Sequence, residues 1–273
     1  MRRSGRPRRN MFSSKPNAAS VGASMSKLRL HLRSGSGAQL SDAELEDCVA
    51  LRRSLMRLKP DTDPAEDTAS VRRVLRDSAH MYRLVDDTGR LQSFTGFQVH
   101  EPEGSTGPLL FEVVHSYSRR EARGHPLLAW MLVRVGLPLL QRGIGRERWM
   151  IGIGVYPQSY RLAHRYGARC TSSLDPRLPE YVRRTTSALA AERYGARWQP
   201  DRHIIRLRTI PEDVSPRWLA RARGSAWWNE YQRINPDWRE GWGANFASPV
   251  GVSDVMSAMS GAVQRRLRRD DPV

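Results

Sequence analysis

The sequence predicts an α/β (α+β) fold, a mixed central sheet flanked by helices with a C-terminal extension. Strand-like segments of period-two hydrophobicity alternate with helical segments of period 3.6, giving the order β-α-α-β-β-β-α-β-α up to residue 170. A tight-turn sequence in the middle of that order makes two neighbouring strands a hairpin. These two observations point to helices covering a sheet of mixed direction.

Residues 27–33 (KLRLHLR) alternate apolar and basic side chains, as a half-exposed strand does. Residues 41–58 open with a capping box, Ser41 followed three positions later by Glu44, and set Leu45, Cys48, Val49 and Met56 on one helical face. Pro60 ends that helix, and a second helix is expected at about 66–78. HMYRLVDDTGRLQSFTGFQV reads as two strands joined across DDTG. PLLFEVVHSYS is a strand of mixed polarity, and on an unbroken strand His115 falls on the opposite face from Glu112. The basic loop RREARGH leads into an apolar helix opening at Pro126. RWMIGIGVY places Trp149, Ile151, Ile153 and Val155 on one face and Met150, Gly152 and Gly154 on the other. YPQSYRLAHRYGAR then supplies a helix stopped by Gly167. Beyond residue 175, EYVRRTTSALAAERYG reads as a helix, RHIIRLRTI as a strand and SDVMSAMSGAVQRRLRR as a terminal amphipathic helix.

The resulting organisation is a disordered basic tail at 1–25, a mixed α/β domain at 26–210 and a tryptophan-rich extension with a terminal amphipathic helix at 211–273. Met25 is an alternative start. WWNEYQRINPDWREGW holds four of the eight tryptophans and reads first as core filling, then as an aromatic wall or a base-stacking platform.

The formal net charge of +17 is not confined to the tail, because the first 24 residues account for only five arginines and a lysine. Such a charge attracts polyanions of several kinds without choosing among them. Two cysteines, far apart, support neither a disulfide framework nor a zinc site, so a reducing, cytoplasmic setting is expected and no metal. The longest apolar run, at 126–140, is too short to span a bilayer and carries Arg134 and Pro138. No nucleophile elbow or dinucleotide fingerprint is present.

Ser159, Arg161, Leu162, Arg165 and Gly167 reproduce the S-x-R-L-x-x-[KR]-x-G pattern of the helix after the fifth strand in the GNAT acetyltransferase superfamily. Together with the order of elements from about 27 to 170, this resembles that superfamily, specifically the branch acting on ribosomal-protein N-termini. Ala168 replaces the usual aromatic and Tyr156 the usual asparagine. The resemblance implies an N-acyltransferase that moves an acetyl or other acyl group from acetyl-CoA or another acyl-CoA to an amine. It assigns the pyrophosphate loop to Arg123, Gly124, His125 and the residues after them, but Pro126 and Leu128 stand where small residues belong. Proline removes a donor amide, so Arg119, Arg120 and Arg123 are expected to take over phosphate contacts. Gly152, Gly154 and Ser159 are the further cofactor-binding candidates, glycine in a strand marking the close approach of a ligand or of another backbone.

Acyl transfer to an amine needs a base for the attacking nitrogen and an acid for the leaving thiolate. Glu112, in the fourth strand of the resembled fold, is the candidate base, with a structural ion pair as its other reading. Ala163 occupies the position of the usual tyrosine acid; Tyr166, about one turn further on, is the candidate, Tyr156 and Tyr117 border the same cleft, and each of the three has packing as its other reading. Two rival readings keep the scaffold: an acidic acyl-carrier protein as donor, favoured by an apolar tunnel lined from 218–246 and disfavoured by a solid core there, and a catalytically inert protein binding nucleic acid nonspecifically.

Overall fold

A computed structural model describes residues 29–101, 107–123, 145–166, 171–212 and 214–253, with isolated positions 134, 141, 256 and 260. Strand β1 (Leu30–Gly35) is followed by α1 (Asp42–Arg53), where Ser41 accepts from the Glu44 amide and the Glu44 carboxylate accepts from the Ser41 amide, at 3.2 and 3.0 Å. The capping box expected from sequence is therefore formed. The helix stops at Arg53, short of the expected end at Pro60, and Met56 belongs instead to a three-residue strand β2 (Met56–Leu58) that a distant strand pairs with; α2 (Pro64–Arg76) follows, capped by Asp63 with proline in its first turn. β3 (His80–Asp86) and β4 (Leu91–His100) form the hairpin, and β5 (Leu109–Ser118) follows. β6 (Arg148–Gly154) leads directly into α3 (Pro157–Tyr166). Then come β7 (Thr171–Ser172), α4 (Glu180–Tyr194), β8 (Trp198–Gln199), β9 (Ile204–Arg206), β10 (Thr209–Pro211), two short helices α5 (Pro216–Ala222) and α6 (Ala226–Ile234), and β11 (Trp242–Pro249).

The main sheet runs β1-β3-β4-β5-β6-β11-β9-β8, with β7 also on β11, while β2 pairs separately with β10. Among the described residues β5 and β6 are the only parallel neighbours. β11 runs antiparallel to β6 from Ala244 to Pro249, and its other edge takes β9 and then β7. The stretch beyond residue 210 thus continues the sheet through its middle, across the boundary expected at 210/211. Sequence reading missed this strand because WGANFASP has one aromatic in its centre and no β-branched residue, although it is buried along nearly its whole length.

Helices cover both faces. On one, α1 and α2 enclose Leu45, Leu51, Val71, Leu75, Met81 and Phe94, and α4 packs Val182 against Leu110, Ile151 and Ala247. On the other, α3 and α6 bring Tyr160, Trp228 and Tyr231 onto Met150, Ala244 and Phe246, joined by Trp238. Tryptophans 228 and 238 are core residues, the first of the readings drawn from sequence, and Trp218, Leu219 and Trp227 pack against the same apolar cluster. The facing of β6 follows its alternation, Ile151 and Trp149 in one cluster and Met150 in the other. The basic tail, the helix opening at Pro126 and most of the terminal helix lie outside the described residues.

Candidate active site

The two parallel strands part company. Register pairs join Leu109–Val113 of β5 to Arg148–Gly152 of β6 and stop there, whereas β5 continues to Ser118 and β6 to Gly154. The cause is local. Gly96 of β4 pairs with His115 and Phe97 with Val113, so Val114 is an extra residue, a β-bulge. A bulge bends its strand and increases its twist, here at the last rung shared with β6. A Cβ on Gly96 would lie 2.8 Å from Ser78 Oγ, 2.9 Å from Met81 Sδ and 3.1 Å from Val114 Cγ2, so glycine is what admits the crowding beside the bulge.

The bulge also corrects the expectation for His115. Phe94, Gly96 and Gln98 alternate on one face of β4, and their partners are Tyr117, His115 and Glu112. The extra residue restores the phase, so His115 stands on the same face as Glu112, not the opposite one.

That face carries a row of polar groups under helices α1, α2 and α4. Arg52, in the last turn of α1, makes a two-pronged pair with Asp67 of α2, 2.6 and 3.0 Å, both side chains almost fully buried. Its guanidinium also sits beside the Tyr117 phenol. Burial opposes its charge, but Tyr117 and Asp67 outweigh that and hold its pKa up. Further along, Arg193 of α4 donates to Glu112 Oε1 and to Gln98 Oε1, and His100 Nε2 lies 2.9 Å from Glu112 Oε2. Both oxygens of the candidate base are therefore engaged. Both arginines act electrostatically on His115: desolvation first, then Arg52 and Arg193, push its pKa down to about 3, so the ring is neutral at physiological pH.

At the carboxyl ends of β5 and β6 lie a basic turn and a helix start. Arg119 donates from its backbone to Gln92 O and from Nε to Leu91 O, and Arg123 Nε donates to Ser118 O, fixing the turn Arg119–Arg123 to the end of the hairpin. Arg120 and Arg123 are exposed. Gly124 and His125 lie outside the described residues, as does the side chain of Tyr166, whose backbone ends α3. In the first turn of α3, the Ser159 amide bonds to Tyr156 O, and Gln158 Oε1 is buried with no partner among the described residues. Tyr156 spans to the α1–β2 turn, its hydroxyl donating to Leu55 O at 2.8 Å.

The two glycines of β6 face the protein's own side chains. A Cβ on Gly152 would meet the Phe246 ring at 3.0 Å, and one on Gly154 the Tyr160 Cβ at 3.6 Å. The Tyr231 hydroxyl lies 3.2 and 3.1 Å from the carbonyl oxygens of Gly154 and Val155, and Asn235 donates to it in turn.

Sequence reading missed Arg52, Asp67, Arg193 and His100. An arginine in a helix's last turn reads as a surface cation complementing the dipole, and nothing local signals its burial. Among the described residues no three His, Cys, Asp or Glu side chains are placed to hold a metal ion, and no helix is long and apolar enough to cross a membrane.

No family model and no curated protein matches the chain. Solved structures do. The chain is similar to a putative GNAT-family acetyltransferase from Desulfovibrio desulfuricans, 11% identical over 54% of this chain and 91% of that one, with a TM-score of 0.38. An aminoglycoside acetyltransferase from an uncultured soil metagenomic sample, solved with sisomicin, is 12% identical over 55% and 90%, TM-score 0.37. A GNAT-family N-acetyltransferase from Escherichia coli, solved with CoA, is 15% identical over 50% and 67%, TM-score 0.34. Each match takes in about half of this chain.

Proposed function

We propose that the protein transfers an acyl group from a coenzyme A thioester to an amine. The observation that carries this reading is the parting of β5 and β6 at the Val114 bulge, with a basic turn and a helix start at the mouth. Parted strands leave backbone donors and acceptors for an extended amide-containing arm, as in strand addition to a sheet edge. A helix start and arginines suit the phosphates at the arm's other end. Arg119, Arg120, Arg123, Gly124, His125, Gly152, Gly154 and Ser159 remain the donor-binding assignment, with Gly152 and Gly154 acting by closeness of backbone.

In this reading Glu112 takes the amine proton through a water, and its contact with half-buried His100 gives that proton a route outward. His115, kept neutral by burial first and then by Arg52 and Arg193, donates to the thioester carbonyl oxygen. Arg52 and Arg193 favour the negative charge that grows there as the nitrogen attacks. Tyr166 protonates the departing thiolate.

Isothermal titration with acetyl-CoA at millimolar concentration is expected to show binding, and its absence would sink the proposal. Glu112→Gln is expected to lower turnover about 100-fold or more with donor affinity retained. Unchanged thiol release in that variant would remove Glu112 from the chemistry.

A further inference from the structure

A cavity of about 280 Å³ lies away from the polar row, between the first turns of α4, the turn after β7 and the turn before β9. Ser173, Glu180, Arg183, Arg184, Ser187 and His203 line it. We propose that this cavity binds a phosphate dianion, free or as the monoester of a small molecule.

Charge and unmet hydrogen bonding both point that way. Two guanidinium groups, an imidazole and the Ser187 hydroxyl line it with one carboxylate, the Ser173 hydroxyl being held within the protein by Asn245 O at 3.2 Å and by His203. Among the described residues neither Arg183 nor Arg184 forms an ion pair, whereas Arg193 of the same helix is paired with Glu112. Arg183 Nε is buried with no partner among those residues. A buried donor without a partner is costly, and a polydentate anion relieves the cost. Guanidinium groups match phosphate oxygens two at a time. A carboxylate would balance only one of the cations.

His203 is held for such a contact. It is the one non-glycine residue at positive φ, 49°, among the described residues. Its carbonyl accepts the Asn245 amide at 3.0 Å, and the Asn245 carbonyl accepts the Ser173 amide at 3.1 Å, pinning both flanks. Ser173 Oγ and His203 Nδ1 share a 2.7 Å hydrogen bond, which leaves Nε2 as the ring nitrogen for a ligand. A volume of about 280 Å³ exceeds several times the roughly 30 Å³ share of one water, enough for phosphate with a few attached atoms. The site shares no residue with the acyl-transfer row and stands whether or not that reading does.

The test is calorimetric titration of the full chain with inorganic phosphate, and separately with ethyl phosphate, at constant ionic strength set with chloride. Binding of either supports the proposal: phosphate alone assigns a free anion, and tighter ethyl phosphate assigns a monoester. Arg183→Gln, on a helix surface where glutamine is well tolerated, is expected to weaken binding at least about tenfold. Arg221→Gln, a remote control, is expected to leave it unchanged. No binding at millimolar ligand, or equal loss in both variants, would overturn the site in favour of nonspecific attraction. Loss of acetyl-CoA binding in Arg183→Gln would overturn it as well, by merging the cavity with the donor site. Movement of the His203 ring signals on phosphate addition gives a second reading on any variant that folds.

Discussion

Arg52 and Asp67 are 5% and 2% exposed, and their two-pronged pair compensates each of them for lost water. Arg52→Ala leaves a buried carboxylate alone, with an expected cost of about 3–5 kcal/mol in urea unfolding, while Arg52→Met combined with Asp67→Leu is expected to lose far less. His115 adds a pH dependence. Its pKa falls from 6.5 to about 3 on folding, so the unfolded chain binds the extra proton between those values. Stability contributed by the neutral ring is complete above pH 6.5 and is lost as the pH falls toward about 3. His115→Gln is expected to flatten that part of the stability profile, measured by urea unfolding across the range. Neither effect is visible in the sequence around these residues: Arg52 sits in an ordinary LRRS helix end, and Val113-Val114 looks like any apolar strand. Gly96, alone in the middle of a hydrophobic strand, was the available sign of the crowding beside the bulge.

At the scale of elements, α1 shows a start written almost entirely in local chemistry. Ser41→Ala removes a cap and is expected to cost about 1 kcal/mol in urea unfolding at pH 7. Burial works to raise the Glu44 pKa, but hydrogen bonds from Ser41 and Arg83 and the charge of Arg83 outweigh it and leave it lowered. Its contribution is therefore present above the ordinary carboxylate pKa and fades as the pH falls through the lowered one. The cost of Glu44→Ala should accordingly shrink at acid pH. Strand β5 is the opposite case, because its bulge is fixed by pairing with β4, and that pairing decides both where β6 is released and which face His115 occupies.

The whole molecule depends on a strand from near its end. A chain stopped after residue 210 lacks β11, exposing the antiparallel edges of β6 and β9 and removing Trp238, Tyr231 and Phe246 from the second core face. Such a chain is expected to show no cooperative thermal unfolding by circular dichroism, and a cooperative transition would show the 26–210 segment to be self-sufficient. The net charge of +17 acts at this scale too, steering phosphorylated ligands to any basic mouth in a salt-dependent manner.

Hydrophobic period, caps and turn residues determined α1 to α4 and the strands β1, β3, β4, β5 and β6, including the hairpin and the facing of β6, because those signals act over a few neighbouring residues; α5, α6 and the short strands β2, β7 and β8 were not legible in that way. Glu112 was legible as a buried carboxylate for the same reason. Only the tertiary structure decided that Arg193, far along the chain, would meet it, that His115 would join it, and that β11 would part β6 from β9. Those outcomes rest on contacts between distant segments, where burial and pairing are properties of the assembled sheet and not of any short stretch of chain.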